Sequence, residues 1–435
     1  MRATLSNDRL VEKKMNMKNK INLKHPAAFA AALLAALVLS AQSVTLRPID
    51  AVIPDGFMRG FDASMVSQLE ELGVLYMDEG YVPKEFFQIL KDHGVNWVRL
   101  RIWHTPDYYT PGNNTYQRTL DMAKRVKAAG LKLLLDFHYS DTWADPEAQS
   151  RPEAWDEITS IGSPTEKGTL CAAVYEYTKE VLLGLKEAGC VPDIVQIGNE
   201  INPGMLVTLS DGRTTANPSC SSWKSTTTAS NLTKVLNAAS QAVRETDSSI
   251  KVAIHLASSK GDDLTWWFDK MKGIDFDCIA LSYYPYYDHG TIKQLQSTIS
   301  KLKTKYKKDV FVVEISWGWS CEEWGDNTDN LFWYDEGVTA AKNLKDSSNS
   351  MLRFLEMEKH KGKKCVSASY QNQVTIFAAI AEATLKGGGC GVFYWGGDWI
   401  PDGNDEIADN WENQTLFDFE GVALPSIDMF KVNGK

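Results

Sequence analysis

The chain has 435 residues, and 43% of them are hydrophobic, which is enough to form a large buried core. Its 56 Asp and Glu residues outnumber its 46 Lys and Arg residues, so the chain lacks the basic character with which proteins neutralise nucleic-acid phosphates. We therefore expect no nucleic-acid partner.

The first 43 residues have the pattern of an export signal. A basic stretch comes first and contains Lys13, Lys14, Lys18, Lys20 and Lys24. An uncharged apolar run at 27–39 and the small residues Ala41 and Ser43 follow it. Such a run is too short to span a bilayer comfortably, but it matches the core of a signal peptide. We expect cleavage after this segment, a secreted or periplasmic protein of residues 44–435, and no membrane contact after cleavage. An uncleaved anchor is the alternative.

Residues 44–435 alternate between short apolar runs typical of strands and amphipathic stretches typical of helices. The strand-like runs are residues 58–64, 95–103, 132–140, 194–200, 251–257, 278–285, 309–317 and 388–395. The helical stretches include residues 119–129, 170–188, 231–246, 291–305 and 370–385. Repeated strand–helix–strand units imply parallel strands joined by right-handed crossovers. Because no Gly-, Ser- or Pro-rich linker divides them, the eight units predict an α/β fold, a single-domain (β/α)8 barrel with extended loops.

The strand-like runs share a second property, which is that their first halves are apolar and their last residues are polar, aromatic or charged. These last residues include Arg99, Arg101, Asp136, His138, Asn199, Glu200, His255, Tyr283, Glu314, Trp317 and Trp395. A satisfied polar group in the core could explain any one of them, above all His255. Barrel enzymes build their active sites from the C-terminal strand ends and the loops that follow, so the whole set predicts an active site there.

Glu200 and Glu314 each end a buried strand, in the segments IVQIGNEI (194–201) and VFVVEISWGW (310–319). A carboxylate at such a place is costly unless a cleft solvates it or it has a chemical role. The two strands are the fourth and the seventh, which lie opposite each other across the mouth of an eight-stranded barrel. Glycoside hydrolysis needs two carboxyls, one protonated and one ionised. The pair therefore predicts a glycoside hydrolase.

Neighbouring polar residues are expected to tune this pair. Arg99 and Arg101 point to the same face of their strand, so at least one of them should reach the carboxylate that stays ionised. We expect His138 and Asn199 to donate to substrate hydroxyls or to the nucleophile. Tyr283 can donate to the nucleophile too.

Seven segments carry a resemblance to a known family. They are RGFDAS (59–64), VNWVRLRIW (95–103), LDFHYSDTWADP (135–146), VQIGNEINPG (195–204), FDCIALSYYPYY (276–287), GVFYWGGDWIP (391–401) and WENQTLFDFEGVALPS (411–426). With these segments the chain resembles glycoside hydrolase family 53, the endo-β-1,4-galactanases, from about Met58 to Phe430. The third and the last segment are the most discriminating, because Asn-Glu at a strand end recurs in many barrel glycosidases.

The resemblance implies a secreted, retaining endo-β-1,4-galactanase that cuts the β-1,4-galactan of type I arabinogalactan by double displacement. It implies Glu200 as acid/base and Glu314 as nucleophile. Residues expected to bind substrate or support the pair are Arg99, Arg101, Asp136, His138, Trp143, Asn199, His255, Tyr283, Trp317, Trp319, Trp395 and Trp399. Because this chemistry uses only carboxylates and water, we expect no cofactor. The polysaccharide is the expected partner, and a monomer is the expected state.

Three loops depart from the family pattern. After the seventh strand, Glu-Thr-Ala-Tyr-Pro-Trp of the family reads Glu-Ile-Ser-Trp-Gly-Trp at 314–319. After the eighth, Trp-Glu-Pro-Ala-Trp reads Trp-Gly-Gly-Asp-Trp at 395–399, and after the fifth, an Asp-Asn-Gly stretch reads Ala-Ser-Ser-Lys-Gly at 257–261. The catalytic pair is retained, so the changes concern loops that should line sugar subsites.

The polar connection at 318–370 is expected to form a loop over the barrel mouth. Its oxygen-bearing residues Asp326, Asn327, Asp329 and Asn330 could suit Ca²⁺, but they lack an EF-hand pattern, so a solvated loop is the favoured interpretation and calcium the alternative. No other metal site is expected.

The seven cysteines allow some pairing in an exported protein. Cys321 and Cys365 in the long loop are the candidates for a disulfide bond, and Cys278 and Cys390 are expected to be buried thiols.

Two alternatives to a galactanase remain. The first is another retaining barrel glycanase, such as a mannanase, a cellulase or a xylanase, because the carboxylate pair alone fits all of them. The second is a sugar-binding barrel without activity. This second alternative predicts the loss of a catalytic carboxylate, whereas Glu200 and Glu314 are both present.

Overall fold

The computed structural model describes residues 44–258, 260–285, 289–320, 332–335, 342–343, 365–366, 368–402, 407 and 412–432. The predicted export signal at 1–43 lies outside the described residues, and so do Cys321 and the calcium candidates Asp326, Asn327, Asp329 and Asn330. The side chain of Cys365 lies outside them too. In the described part of the chain, no helix is long and apolar enough to cross a membrane.

Eight parallel strands form a closed barrel. They are β1 (Met58–Asp62), β2 (Trp97–Ile102), β3 (Lys132–Phe137), β4 (Ile194–Ile197), β5 (Lys251–Ala257), β6 (Cys278–Ser282), β7 (Asp309–Ile315) and β8 (Gly391–Tyr394). Each strand pairs with its successor, and β8 pairs with β1 to close the sheet. The predicted (β/α)8 barrel is therefore confirmed.

Helices connect successive strands. They are α1 (Val66–Glu71), α2 (Phe86–Asp92), α3 (Tyr116–Ala128), α4 (Leu170–Glu187), α5 (Thr226–Thr246), α6 (Gly261–Lys270), α7 (Ile292–Tyr306) and α8 (Tyr370–Lys386). Ser225 and Thr291 begin α5 and α7 with reciprocal capping boxes. Such caps satisfy backbone amides that have no partner inside the helix and each contribute about 1 kcal/mol.

The barrel interior is filled by side chains from all eight strands. They are Met58, Trp97, Leu134, Ile194, Ala253, Cys278, Ala280, Phe311, Val313 and Phe393. Gly60 on β1 leaves the space that the ring of Phe393 occupies, because a Cβ at position 60 would lie 2.0 Å from that ring. The interior is thus a packed core, and the cleft for a ligand must lie above it, at the ends of the strands.

The structure differs from the predicted elements mainly at strand ends and between β1 and β2. The strands β4 and β6 end at Ile197 and Ser282, so the residues that follow leave the sheet. Two helices and a small antiparallel hairpin (Met77–Asp78 with Val82–Pro83) occupy the connection between β1 and β2. These helices have 6 and 7 residues, which is too short for a clear helical period in the sequence.

Two of the predicted thiols lie near the N-terminal end of the barrel. Both are free, and Cys278 is buried as expected. The prediction is wrong for Cys390, which is only half-buried. This residue precedes β8 and lines a cavity of about 600 Å³ at the N-terminal end, where the packed interior ends.

Candidate active site

Glu314 is aimed into the barrel mouth by a bulge in β7. The register of β7 with β6 shifts between Leu281 and Ser282, because Leu281 pairs with Val312 whereas Ser282 pairs with Glu314. The register with β8 shifts at the same level. A bulge re-aims the side chains beside it, and it is common next to active sites. The Glu314 side chain is buried, with 5% of the residue exposed.

Glu314 is held by a cation and a phenol. Its Oε1 lies 2.8 Å from Nη1 of Arg99, and its Oε2 accepts a hydrogen bond of 2.8 Å from the hydroxyl of Tyr284. Both contacts are to the carboxylate itself, so they stabilise its ionised form. The expectation that one of two arginines reaches an active-site carboxylate is met by Arg99.

Glu200 follows β4 in a strained backbone conformation. Its φ angle is +47°, in the left-handed region that few side chains adopt, and its N–H donates to Nδ1 of His255 at 3.3 Å. The residue is 8% exposed. Such strain costs roughly 1–3 kcal/mol and tends to persist where it positions a functional group.

The two glutamates differ in how their surroundings act on their pKa values. Burial, followed by the negative charge of Glu314, raises the pKa of Glu200 well above its ordinary value, and Ser282 opposes this shift. Burial also raises the pKa of Glu314, but the charge of Arg99 and the hydrogen bond from Tyr284 oppose it. Glu200 is therefore the group more suited to hold a proton, and Glu314 the group more easily kept ionised.

Arg99 is the centre of a buried ionic network. Besides Glu314, its guanidinium contacts Asp62 at 2.9 Å, Asp136 at 2.7 Å and Asn199 Oδ1 at 2.7 Å. Burial alone would lower the pKa of Arg99, but the charges of three buried carboxylates outweigh this effect and raise it. The guanidinium therefore stays cationic. Asp136 is fully buried under the cleft and does not line it, so its part is to hold Arg99 in place.

Arg101 does not contact either glutamate. Its Nη2 donates to the carbonyl of Pro111 at 2.8 Å, and its guanidinium lies 4.1 Å from the ring centre of Trp143 and 4.8 Å from that of Trp103. The two arginines lie two residues apart on one strand, but their long side chains end against different neighbours. Arg101 therefore supports the aromatic side of the cleft.

The predicted donors His138 and Asn199 line the cleft, but protein groups already occupy much of their hydrogen-bonding capacity. Nδ1 of His138 accepts from Nε1 of Trp103 at 3.0 Å and from the N–H of Ala144 at 3.2 Å. This places the proton on Nε2, which lies 3.1 Å from Asp136. Asn199 donates to the carbonyl of Ala144 at 2.7 Å.

The tyrosine prediction is wrong by one residue. The Tyr283 hydroxyl donates to the carbonyl of Gly290 at 3.0 Å, inside the core, whereas Tyr284 donates to Glu314. Since β6 ends at Ser282 and side chains alternate in direction, Tyr284 shares the inward direction of Ser282 and Tyr283 does not. Tyr284 is a site residue that the sequence reasoning missed, although the alternation of SYY at 282–284 was the signal for it.

A cavity of about 620 Å³ lies above the two glutamates. Its lining residues are Arg99, Arg101, His138, Trp143, Ala144, Asp145, Pro146, Glu147, Asn199, Glu200, Ala257, Tyr284, His289, Glu314 and Trp395. Trp143 and Trp395 form an aromatic side, with ring centres 6.2 Å apart. Flat apolar rings beside charged groups match the mixed character of a sugar.

The other predicted tryptophans lie behind the aromatic side of the cleft or away from it. Trp399 is 3% exposed and stacks on Trp143 at 6.0 Å, and Trp317 is 1% exposed in the core. Trp319 stacks on Tyr370 at 5.4 Å and is not part of the cavity lining. His255 is fully buried below Glu200. Among the described residues, no group of three His, Cys, Asp or Glu side chains could hold a metal ion.

The sequence profile of glycosyl hydrolase family 53 matches residues 58–430. The chain belongs to glycosyl hydrolase family 53. It is therefore a glycoside hydrolase, and the family resemblance seen in the sequence is confirmed. The matched range contains the whole barrel and both glutamates at its mouth.

Individual relatives of family 53 cover nearly the whole chain. The endo-beta-1,4-galactanase of Bacillus subtilis is 32% identical, over 90% of this chain and 89% of its own length. The arabinogalactan endo-beta-1,4-galactanase of Cellvibrio japonicus is 31% identical, over 87% of this chain and 91% of its own. Among solved structures, the Ignisphaera aggregans GH53 catalytic domain has a TM-score of 0.73 at 35% identity, over 90% of this chain and 100% of that chain.

Proposed function

We propose that this family 53 hydrolase is an exported endo-β-1,4-galactanase that cleaves β-1,4-galactan with retention of anomeric configuration. The observation that carries the proposal is the unequal pair of glutamates in one cleft, in a chain similar over nearly all its length to proteins named endo-beta-1,4-galactanase. A glycan is a neutral polymer, so the acidic balance of the chain does not oppose its binding.

The first half of the proposed reaction forms a bond to Glu314. Its carboxylate attacks the anomeric carbon as the bond from that carbon to the glycosidic oxygen breaks. Glu200 transfers its proton to the departing oxygen, so the leaving sugar departs as a neutral alcohol. The cation of Arg99 and the hydroxyl of Tyr284 support this assignment, because both favour the ionised nucleophile.

The second half releases the sugar. Glu200, now ionised, takes a proton from water, whose oxygen attacks the anomeric carbon while the bond to Glu314 breaks. Two inversions at one carbon give net retention, which requires carboxyl groups about 5–5.5 Å apart. Glu200 recovers its proton and Glu314 its charge, so no cofactor is consumed.

The aromatic side of the cleft is proposed to bind the polymer. Trp143 and Trp395 offer flat surfaces on which the apolar faces of galactose rings can stack. Arg101, which also lines the cavity, holds the ring of Trp143 through a cation–π contact at 4.1 Å.

Export is proposed from the N-terminal sequence. The basic stretch and the short apolar run before Ala41 support cleavage of residues 1–43. N-terminal sequencing of protein recovered outside expressing cells should find a start near Val44. An uncleaved N-terminus in membrane fractions would contradict this part of the proposal.

A panel of linear polysaccharides tests the substrate. We expect rapid release of short oligosaccharides from debranched β-1,4-galactan and little from β-1,4-mannan, xylan or cellulose. Faster hydrolysis of any of those three would show that the protein is a different β-glycanase and not a galactanase. Binding to galactan without hydrolysis would favour a non-catalytic barrel.

A further inference from the structure

A pair of exposed tyrosines lies on the loop that joins β2 to α3. Tyr108 and Tyr109 are 43% and 66% exposed, and their ring centres lie 5.4 Å apart in an edge-to-face arrangement. The loop follows the C-terminal end of β2, so the pair is at the same end of the barrel as the catalytic cleft, but neither tyrosine lines that cavity. Single exposed aromatic residues are common, whereas two contacting rings in solvent form an apolar surface that can bind a ligand.

The backbone that carries the two rings is held in a β-turn. The N–H of Thr110 donates to the carbonyl of Asp107 at 3.1 Å, which places the tyrosines at the two central positions of the turn. The N–H of Tyr109 donates to Oδ1 of Asp107 at 2.9 Å. From α1, the buried side chain of Gln68 donates to the carbonyl of Tyr108 at 2.7 Å. Because the turn is already ordered, a ligand that binds the rings loses little affinity to the ordering of the loop.

Direct contacts connect this turn to the aromatic side of the cleft. Pro111, two residues after Tyr109, accepts a hydrogen bond of 2.8 Å from Nη2 of Arg101. The guanidinium of Arg101 lies 4.1 Å from the ring centre of Trp143, and both residues line the cavity. A cavity of about 620 Å³ has the size of a small-molecule site, whereas a polysaccharide chain is much longer and must continue over the neighbouring surface. A chain that passes Trp143 on this side reaches the tyrosine turn.

We propose that Tyr108 and Tyr109 form a second binding site for the galactan chain, outside the cleft, which holds the polymer beside the active site and takes no part in bond cleavage. The apolar faces of sugar rings can pack on the phenol rings, and the two phenol hydroxyls can exchange hydrogen bonds with sugar hydroxyls. The inference rests on the proposed function, because the ligand assigned to this site is the substrate proposed for the cleft.

The composition and the size of the turn favour a neutral glycan over other ligands. Residues 104–115 contain no Lys or Arg, so the loop itself offers no cation to an anionic ligand. Its carboxylate, on Asp107, already accepts the N–H of Tyr109. A stable protein partner needs about 800 Å² of surface on each side, whereas one aromatic side chain buries about 150–250 Å². Two rings therefore fit one or two sugar units better than a protein surface.

The test compares long debranched galactan with the shortest galacto-oligosaccharide that the parent cleaves. The double variant Tyr108→Ala, Tyr109→Ala should raise KM on the long polymer by about tenfold, because each lost ring contact weakens binding by roughly threefold. Its kcat should stay within about twofold, since a site away from the reacting bond binds ground state and transition state alike. On the short substrate, which occupies only the cleft, neither constant should change. Tyr108→Phe, Tyr109→Phe keeps both rings and should retain most of the affinity for the polymer.

Trp266→Ala is the matched control, because it removes an exposed aromatic ring from the outer helix α6, where that ring faces Lys270 at 4.7 Å. Its KM should follow the parent on both substrates. Affinity electrophoresis in galactan gels, with Glu314→Gln added to prevent digestion, measures binding directly and should show the same loss for the double alanine variant.

If the double alanine variant does not fold, Tyr109→Ala alone removes the more exposed ring and should raise KM on the polymer by roughly threefold. A folded variant with unchanged KM on the polymer, or with an equal rise on the short substrate, would overturn the inference while the parent still cleaves galactan. A parent that cleaves a different β-glycan and not galactan would overturn the proposed substrate, and with it the ligand assigned to the two tyrosines.

Discussion

At the scale of single residues, the two glutamates of the cavity have unequal surroundings. Glu314 faces the guanidinium of Arg99 and the hydroxyl of Tyr284. Glu200 has no such cation in direct contact among the described ion pairs, and Glu314 raises its pKa. The difference assigns the proton to Glu200 and the charge to Glu314, and each assignment can be tested separately.

Glu200→Gln and Glu314→Gln should each lower kcat on galactan by about three orders of magnitude, because each carboxyl acts on the bond being broken. An aryl β-galactoside with a good leaving group separates the two roles, since its first step needs no acid. Stopped-flow absorbance should show a burst of phenol with Glu200→Gln and no burst with Glu314→Gln. The control is Glu147→Gln, an exposed carboxyl on the same cavity, which should stay active. Full activity of either catalytic variant would refute its role.

Tyr284→Phe should lower kcat by roughly tenfold to a hundredfold, because Glu314 loses a charge-assisted hydrogen bond of 2.8 Å. The matched control is Tyr283→Phe, which removes the neighbouring hydroxyl and its bond to the Gly290 carbonyl. That variant should lose thermal stability with a much smaller change in kcat. Steady-state kinetics and thermal melting curves of both variants provide the measurement. A larger loss of kcat in Tyr283→Phe than in Tyr284→Phe would contradict the site described above.

Asp398 should make stability depend on pH. Burial, followed by the charge of Asp62, raises the pKa of Asp398 to about 8, and its Oδ1 has no hydrogen-bond partner in the described part of the chain. An unfolded chain releases this proton near pH 4. The stabilisation from the proton is therefore complete below about pH 4 and is lost as pH rises through about 8.

Asp398→Asn cannot ionise, so its Tm relative to the parent should rise steadily between pH 4 and pH 8. The measurement is thermal unfolding of both proteins across that range. Exposed Asp55→Asn is the control and should follow the parent. A parallel pH dependence of parent and Asp398→Asn would show that Asp398 is ionised in the folded protein.

At the scale of elements, the barrel is closed by contacts between β1 and β8. Gly60 pairs with Phe393, and a Cβ at position 60 would lie 2.0 Å from the Phe393 ring. Gly60→Ala should therefore lower the free energy of unfolding by about 1–3 kcal/mol or more, because the ring must leave its place in a packed interior. Gly56→Ala is the control, since nothing lies within 4 Å of its added Cβ. Urea titration measures the free energy of unfolding of both variants, and equal values would contradict the close packing of the Phe393 ring against Gly60.

Strands and long helices were the elements that the sequence predicted well. Buried strands such as β5 and β7 are mostly apolar, and α4 and α8 are long enough to show a clear period. Residues beyond the last hydrogen-bonded pair of a strand were harder to place, because alternation no longer fixes their direction. That is why the sequence indicates Tyr283 where the structure places Tyr284, whereas Glu200 and Glu314 are indicated by the cost of a carboxylate at a buried strand end.

Arg101 shows a second limit of the sequence. Its position two residues after Arg99 predicts the same face of β2, and the structure agrees, but the two guanidinium groups end in different surroundings. Arg99 contacts three carboxylates, and Arg101 lies against indole rings. Long side chains sample several neighbours from one backbone position, and the neighbours come from loops that no local pattern specifies.

At the scale of the whole molecule, the barrel has a cavity at each end, and the two cavities differ in the residues that line them. The cavity at the N-terminal ends of the strands is lined by residues such as Trp97, Lys251 and Cys390. The cavity at the C-terminal ends, of about 620 Å³, holds both glutamates and the aromatic side. Barrel enzymes place their chemistry at this second end, which agrees with the location of the pair.

We propose that Glu314 and Glu200 cleave β-1,4-galactan by two successive displacements at one carbon. Time-resolved proton NMR of debranched galactan with the purified protein tests it most directly, because the anomeric signals of new reducing ends appear before mutarotation mixes them. We expect the β anomer to appear first and the α anomer to grow only later. Initial release of the α anomer, or no new reducing ends at all, would contradict it.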